Sequence, residues 1–182
     1  MVSLILGFVL GLVLGSFIDC IAARAILGES FWGRSYCEHC KHKLSWYDLF
    51  PIFSFLFLRG KCRYCHKKIG TQYLLIEILM GLLIGLLFLT SLPDNLANLN
   101  IYLLIQTLGE LFFKVFVVCV LLIVFLTDLK TGLIYDRITY PAIVITLVYL
   151  VANILFNTYV LYTSIKNSFV GDYLLKHTDY FY

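Results

Sequence analysis

The sequence predicts an all-α, polytopic membrane protein with about four transmembrane helices and a cysteine-rich loop between the first two. Three observations lead to this fold class. The chain is 61% hydrophobic with a mean hydropathy of +0.90. Only 14% of its residues are charged, whereas a soluble domain carries about 25%. The polar residues are also concentrated in a few segments between long apolar runs, which is typical of a chain that crosses a bilayer repeatedly.

The first predicted helix covers Val2–Ala23. Its run Val2–Ile18 carries no charge, and its length is close to the minimum of about 17 residues that crosses a bilayer. No charged segment precedes it and no small-residue cleavage site follows it, so we expect a retained helix. Gly7, Gly11 and Gly15 recur at every fourth position. This pattern fits either the close approach of a second helix or ordinary membrane-helix composition.

The polar segment 24–71 has a strong excess of basic residues, with nine Lys and Arg against three acidic residues. Such a bias is typical of a cytoplasmic loop. It favours contact with anionic membrane lipid. We do not expect nucleic acid as a partner. The apolar insert Phe50–Leu58 is too short to span a membrane as a helix. We expect it to pack against the membrane face or to close the loop.

Two Cys-x-x-Cys pairs lie in this segment: Cys37 with Cys40, and Cys62 with Cys65. Each pair places two thiolates on one tight turn, and the spacer between the pairs allows all four to meet around one tetrahedral zinc ion. We therefore predict a structural zinc site with these four ligands. A redox-active pair is the alternative. A thiol oxidoreductase needs only one pair, however, so two pairs at this spacing favour a metal.

Three further spans are predicted, at 72–92, within 101–126 and at 138–161. The firm core of the third span is Leu111–Leu126, and 101–110 is interpreted as an interfacial lead-in. Each of these stretches is apolar and long enough for a membrane helix. The short loops between them are the natural places for the chain to turn.

The distribution of basic residues predicts the topology. Segments 24–71 and 127–137 together hold eleven of the fourteen Lys and Arg, whereas 93–100 holds none. By the positive-inside rule both basic segments are cytoplasmic, and the N-terminus is outside. We predict two regions: 1–92, with the first two helices and the cysteine loop, and 101–182.

Asp128 is the second candidate site. It closely follows the apolar run Val115–Leu126, so its carboxylate is expected at the cytoplasmic border of the membrane. An ionisable group at such a border is costly to desolvate, which suggests a functional role. A helix-end charge that faces the lipid headgroups would give the same pattern. Asp136, eight residues further on, lies where the next helix begins and also suits the helix dipole.

Four stretches of the sequence resemble the type IV prepilin peptidases, the leader peptidase and N-methyltransferase enzymes of type IV pilus and type II secretion systems. They are Gly15–Ile18 with Arg24, Ser35–Cys40 with Asp48–Pro51, Leu58–Cys65 with Tyr73 and Glu77, and Thr127–Arg137. Together these stretches occur in the family's order over nearly the whole chain.

The resemblance implies a membrane-embedded aspartic endopeptidase that acts from the cytoplasmic side of the plasma (inner) membrane. Its substrates would be type IV prepilin or pseudopilin precursors, cut after the glycine that ends a short basic leader. Asp128 matches the first of two catalytic aspartates. These share one proton, so that the charged carboxylate activates water and the neutral one polarises the scissile carbonyl. The cysteine loop would belong to the N-methyltransferase half, which uses S-adenosylmethionine.

The family's second catalytic aspartate stands in a Gly-x-Gly-Asp motif, which does not occur among the 182 residues. The nearest fragment is Gly171-Asp172. The predicted topology puts Asp172 on the outer face, across a core of about 30 Å from Asp128. We therefore expect a C-terminally truncated chain that ends before the second aspartate. The alternative function is a catalytically incomplete family member that acts as a membrane-anchored zinc-loop binding protein.

Overall fold

The computed structural model describes residues 1–31, 33–37, 39–93 and 100–166. These residues form five α-helices: α1 (Val2–Leu27), α2 (Phe53–Phe57), α3 (Thr71–Ser91), α4 (Ile101–Thr131) and α5 (Asp136–Lys166). Two isolated β-bridges occur in the described residues, and no strand does. The predicted all-α class is confirmed.

Four of the helices, α1, α3, α4 and α5, are long and apolar enough to cross a membrane. Their number is the one that the sequence predicts, and the chain is a multi-pass membrane protein on this criterion. The apolar insert contains the short helix α2, which has five residues. A helix of that length is far below the about 20 residues that span a bilayer.

Helix α4 is longer than the sequence predicts, and the difference changes the setting of Asp128. It runs without a break over 31 residues, so 101–110 is not a separate lead-in. At its other end Gly132 has a left-handed backbone (φ 65°), and its N–H donates to the Asp128 carbonyl at 2.7 Å. A glycine in this conformation is a common helix terminator. Asp128 therefore lies in the last turn of α4 and not in a loop.

Helices α1 and α3 pack closely because glycines line their interface. A Cβ added at Gly11 would stand 2.4 Å from the Met80 carbonyl oxygen, and one at Gly7 would stand 2.8 Å from that of Ile84. From the other side, a Cβ at Gly81 would stand 2.9 Å from α1 side chains. Any larger residue would hold the two backbones apart. The close-approach interpretation of the glycine stripe is confirmed.

The main apolar core forms where α4 joins this helix pair. Its buried residues come from the C-terminal half of α1, the middle of α3 and the C-terminal half of α4: Ile18, Ala22, Met80, Ile84, Leu122, Ile123 and Leu126. Near the C-terminal end of α4, the Lys130 ammonium lies 5.8 Å from the centroid of the Tyr73 ring of α3. The end of α4 that carries Asp128 thus meets the end of the bundle where the cysteine loop joins α1 to α3.

The chain divides into two compact units, Met1–Thr139 and Tyr140–Tyr182. In the described part of the second unit, Tyr149, Asn153 and Asn157 form a hydrogen-bonded row along α5. The groups of the sites below belong to the first unit. The division into regions 1–92 and 101–182 stays a prediction.

Candidate metal centre and the cavity beside it

The structure brings the four predicted cysteines together. The Sγ atoms of Cys37, Cys40, Cys62 and Cys65 all lie within 4.8 Å of one another, and those of Cys37 and Cys65 are 3.8 Å apart. With Zn–S bonds of about 2.3 Å, the sulfur–sulfur edge of a tetrahedral site is about 3.8 Å. The cluster therefore has the size and the ligand number of a site that could hold a metal ion.

Both cysteine pairs are held by the same backbone turn, repeated 25 residues along the chain. In the first turn, the Cys37 N–H donates to the His42 carbonyl and the Lys41 N–H donates to the Cys37 carbonyl, both at 2.9 Å. The Cys62 N–H and carbonyl make the equivalent bonds in the second turn, at 2.9 and 3.0 Å. Lys41 and His66, which each follow the second cysteine of a pair, have φ of 57° and 55°. This repeat was missed at the sequence level, although the pattern Cys-x-x-Cys-x-x-Lys occurs in both turns.

Side chains outside the cysteines hold the two turns against each other. The Arg63 Nε donates to Asp48 Oδ1 at 2.7 Å, and the Asp48 side chain is only 3% exposed. The other oxygen of Asp48 accepts the Ser45 N–H at 3.2 Å. The His42 and Tyr64 rings stack with their centroids 3.7 Å apart. Since these contacts involve both turns, they hold the cysteine pairs in register.

The thiol pKa values show why this cluster fits a cation. Burial raises the pKa of the Cys37 thiol, but backbone N–H groups and neighbouring thiols that donate to it lower the pKa to about 7 overall. For Cys65, the Lys67 N–H lowers the pKa, but burial and the other thiols raise it to about 11. One thiolate forms readily, and its charge then opposes ionisation of its neighbours. A bound cation removes that opposition, and thiolates are the form that binds metals.

A buried carboxylate attaches the cysteine loop to the membrane helices. Glu77, in the second turn of α3, is 9% exposed, and its Oε2 accepts the Ile52 N–H at 2.8 Å. Ile52 has φ 60° and ψ −52°, and the Phe53 N–H donates to the Pro51 carbonyl across it at 2.6 Å. This is the rarer, strained form of a γ-turn. A β-branched residue there costs about 1–3 kcal/mol, so Glu77 stabilises a turn that the local sequence disfavours.

Arg24 orders the link between α1 and the first cysteine turn. Arg24 is 6% exposed, and its guanidinium donates to the carbonyls of Phe31 at 2.8 Å and Arg34 at 2.9 Å. The chain passes so close that a Cβ at Gly33, where φ is 148°, would stand 3.3 Å from Arg24 Nη2. The planar fork of arginine can satisfy several carbonyls at once. Arg24 therefore has a structural role that its basic charge alone does not reveal.

A cavity of about 320 Å³ lies between the cysteine loop and the adjoining ends of α1 and α3. Its walls are mainly apolar, and three carboxylates line it: Asp19 of α1, Glu77 of α3 and Asp48 of the cysteine loop, which is paired with Arg63. Asp19 is 6% exposed, and its Oδ2 has no hydrogen-bond partner in the described part of the chain. Sequence reasoning missed Asp19 because it directly follows the uncharged run of the first span. An acidic residue inside a membrane helix is itself a signal that could have found it.

The structure places Asp128 on the surface of α4, with an exposed side chain. The segment that follows it contacts the loop after α1. Arg137 Nη1 donates to the Glu29 carbonyl at 3.2 Å, and its guanidinium lies 4.7 Å from the centroid of the Phe31 ring. Asp172, which the predicted topology excludes as the second aspartate, lies outside the described residues. Asp128 is thus near the cysteine loop in the fold but is not one of the residues that line the cavity.

Part of the chain matches a known family. Residues 9–91 match the model of the Bacterial Peptidase A24 N-terminal domain. This range contains the four clustered cysteines and the three carboxylates that line the cavity. The chain is 31% identical to the prepilin leader peptidase/N-methyltransferase of Vibrio cholerae over 163 residues, which are 84% of this chain and 58% of that protein.

Two further relatives carry the same name. The protein from Myxococcus xanthus is 47% identical over 77 residues, 42% of this chain and 23% of that protein. The protein from Bacillus subtilis is 35% identical over 135 residues, 72% of this chain and 48% of that protein. This chain spans about a quarter to three fifths of the length of these curated relatives. No solved structure matches it.

Proposed function

This chain belongs to the type IV prepilin peptidase family, and from that premise we propose that it forms the metal-binding part and the first catalytic part of a membrane-embedded aspartic endopeptidase. The proposed substrates are type IV prepilin-like precursors, which lose their leader after a glycine. The relatives are named as N-methyltransferases as well, so the proposal extends to methylation of the new N-terminus with S-adenosylmethionine.

The observation that carries this proposal is the placement of Asp128. It lies in the last turn of a helix long enough to cross a membrane, at the end of the bundle where the cysteine loop lies. There a carboxylate reaches water without leaving the membrane border, as hydrolysis beside a membrane helix requires. Asp128 would be one of two carboxylates that share a proton. The second would come from a Gly-x-Gly-Asp motif, which these 182 residues lack.

We further propose that the metal is zinc and that its role is structural. Four thiolates fill the four positions of a tetrahedral site and leave none open for water or substrate. The ion would lock the two cysteine turns together and so hold the loop in place on α1 and α3. It would not take part in peptide hydrolysis.

The membrane orientation belongs to the same proposal. We place the cysteine loop and Asp128 on the cytoplasmic side of the inner membrane and the N-terminus outside. The excess of Lys and Arg in 24–71 and 127–137 supports this assignment, and so does the need of the cysteines for a reducing compartment. Leader removal would then occur on the cytoplasmic face.

The test is co-expression of the chain with a prepilin-like precursor in cells that lack such a peptidase, with loss of the leader read by mass spectrometry. We expect Asp128→Asn to abolish any cleavage that the wild-type chain performs. Asp136→Asn is the matched control, because it makes the same chemical change at an exposed position close by. Cleavage by Asp128→Asn at the wild-type rate would refute the assignment of Asp128.

A second candidate function applies to the 182 residues taken by themselves, among which no Gly-x-Gly-Asp motif occurs. Without a second carboxylate the chain would hold a precursor and not cut it, and would act as a membrane-anchored zinc-loop binding protein. In the same experiment this function gives an intact precursor that co-purifies with the chain.

A further inference from the structure

The Asp19 carboxylate of α1 is buried without a full set of hydrogen-bond partners. Its side chain is 6% exposed, and Oδ2 lacks a hydrogen bond in the part of the chain that the structure describes. Leaving a buried acceptor unpaired is destabilising, and leaving an ionised carboxylate unpaired is more so. An unpaired buried carboxylate of this kind is typical of a functional site, where a bound ligand supplies the missing partner.

The cavity beside Asp19 is large enough for a small organic ligand. Its volume of about 320 Å³ is at the lower end of the range found for ligand pockets, about 300–1,000 Å³. Apolar side chains such as Ala23, Phe55 and Leu74 line it together with the Tyr73 ring. Walls of this kind bury the carbon skeleton of a ligand, whereas a few polar groups select its charge.

Two of the carboxylates that line this cavity come from the helices α1 and α3. Glu77 faces the cavity from α3 as Asp19 does from α1, and the two carboxylates interact electrostatically. Lys130 of α4 also acts on Asp19. Its ammonium lies over the Tyr73 ring, however, and does not provide a partner for Asp19 Oδ2. The third lining carboxylate, Asp48, is already paired with Arg63. Asp19 and Glu77 are therefore the two carboxylates of the lining that are complementary to a cation.

We propose that this cavity is a binding site for a positively charged organic group, an ammonium or a sulfonium, whose charge lies against Asp19 and Glu77. A hard divalent cation fits less well, since Ca²⁺ and Mg²⁺ need about six or more oxygen ligands and the walls are mainly apolar. Aromatic rings such as Tyr73 add to the attraction of an organic cation. Four basic residues also line the cavity: Arg24, Arg63, Lys67 and Lys68. Arg24 donates to backbone carbonyls and Arg63 to Asp48, whereas the two lysines suit a ligand that carries an anionic group at its other end.

This inference deepens the proposed N-methyltransferase function and rests on it only for the identity of the ligand. Methylation of an N-terminus brings together an amine and a methylsulfonium donor, and both carry the chemistry that the cavity selects. The experiment therefore has one arm for each source. Binding is measured directly, so it does not depend on cleavage.

The binding experiment uses the full chain, purified with its metal and placed in lipid nanodiscs, with isothermal titration calorimetry as the readout. The first arm compares S-adenosylmethionine with S-adenosylhomocysteine, which lacks the sulfonium charge. The second compares an apolar tetrapeptide that has a free N-terminus with its N-acetylated form. We expect the charged member of at least one pair to bind at least tenfold more tightly than its neutral partner.

The variants assign that preference to the site. Asp19→Asn should abolish the tenfold preference, whereas Asp136→Asn, at an exposed position, should keep it. Asp19→Asn removes a buried acid and is expected to fold. Glu77→Gln is the second variant, because its amide oxygen can still accept the Ile52 N–H, and it should weaken the preference too.

Equal affinity for the charged and neutral members in both arms would overturn the inference, as would a preference that survives in both variants. Binding of Mg²⁺ or Ca²⁺ that is lost in Asp19→Asn, without binding of either organic cation, would overturn it as well. Charge-selective binding together with cleavage by Asp128→Asn at the wild-type rate would refute only the protease proposal. Cleavage by a chain without this binding would refute only the inference.

Discussion

Replacement of Gly11 by alanine tests whether the short distance between α1 and α3 holds the membrane part together. A Cβ at this position would stand 2.4 Å from the Met80 carbonyl oxygen and 2.7 Å from Gly81 Cα. Both are backbone atoms of α3, so no side chain can rotate away to make room. The two helices would have to separate, or one would have to bend.

The structure sets the size of the effect. Real Cβ atoms stay at least 3.0 Å from such neighbours, so the backbones must part by at least about 0.6 Å. Overpacking of this kind costs about 1–3 kcal/mol, and contacts to the backbone atoms of two adjacent residues, Met80 and Gly81, favour the upper end. The helix propensity of alanine over glycine returns about 1 kcal/mol. We expect a net loss of about 2 kcal/mol in the free energy of unfolding.

Gly109→Ala is the matched control, because a Cβ there meets no atom within 4 Å. It makes the same chemical change within helix α4 and should raise the stability by up to about 1 kcal/mol. The measurement is reversible unfolding in mixed detergent micelles by increasing SDS, followed by far-UV circular dichroism. The two variants should differ by about 3 kcal/mol. If Gly11→Ala proves as stable as Gly109→Ala, the close-packing argument is refuted.

Three further outcomes are expected. The purified chain should carry about one zinc ion by elemental analysis. Cys62→Ser should lose this ion, and Cys119→Ser, outside the cluster, should keep it. A metal-free chain with reducible disulfides would contradict the proposed zinc site. Zinc affinity in chelator competition should fall steadily as the pH is lowered from 8 to 6, because protons compete with the metal for thiols whose pKa without metal is about 7 for Cys37 and about 11 for Cys65. An affinity that does not change over this range would oppose this. Arg24→Lys should lower the free energy of unfolding by about 2 kcal/mol, since an ammonium cannot replace the forked hydrogen bonds of the buried guanidinium, and Arg34→Lys at an exposed position should leave it unchanged.

The metal-binding cluster could be predicted from the sequence because its geometry is largely local. Within each Cys-x-x-Cys pair, one turn of backbone brings the two thiols together, and the same turn recurs at Cys37 and Cys62. Only the meeting of the two turns depends on the fold. There the buried Asp48 side chain, which accepts from Arg63, supplies a contact that the spacing does not reveal.

The end of α4 and the glycine stripe show where prediction from the sequence was incomplete. Hydropathy placed the end of the span at Leu126. The helix continues to Thr131, since the residue that terminates it is Gly132. Hydropathy measures the membrane border, whereas capping decides where the helix stops. The stripe on α1 was ambiguous because its meaning depends on α3, whose own glycine Gly81 faces it.

The sequence by itself determined the number of membrane-spanning helices, the four cysteines that could hold a metal and the family. These three features can be predicted from composition, local spacing and motif order, which are properties of single segments of the sequence. Only the tertiary structure decided that Asp19 and Glu77 share one cavity and that Asp19 keeps an unpaired oxygen there. The physical reason is that the environment of a buried charge comes from segments distant in sequence. No sequence pattern within α1 or α3 alone predicts which groups of the other helix will lie beside its buried carboxylate.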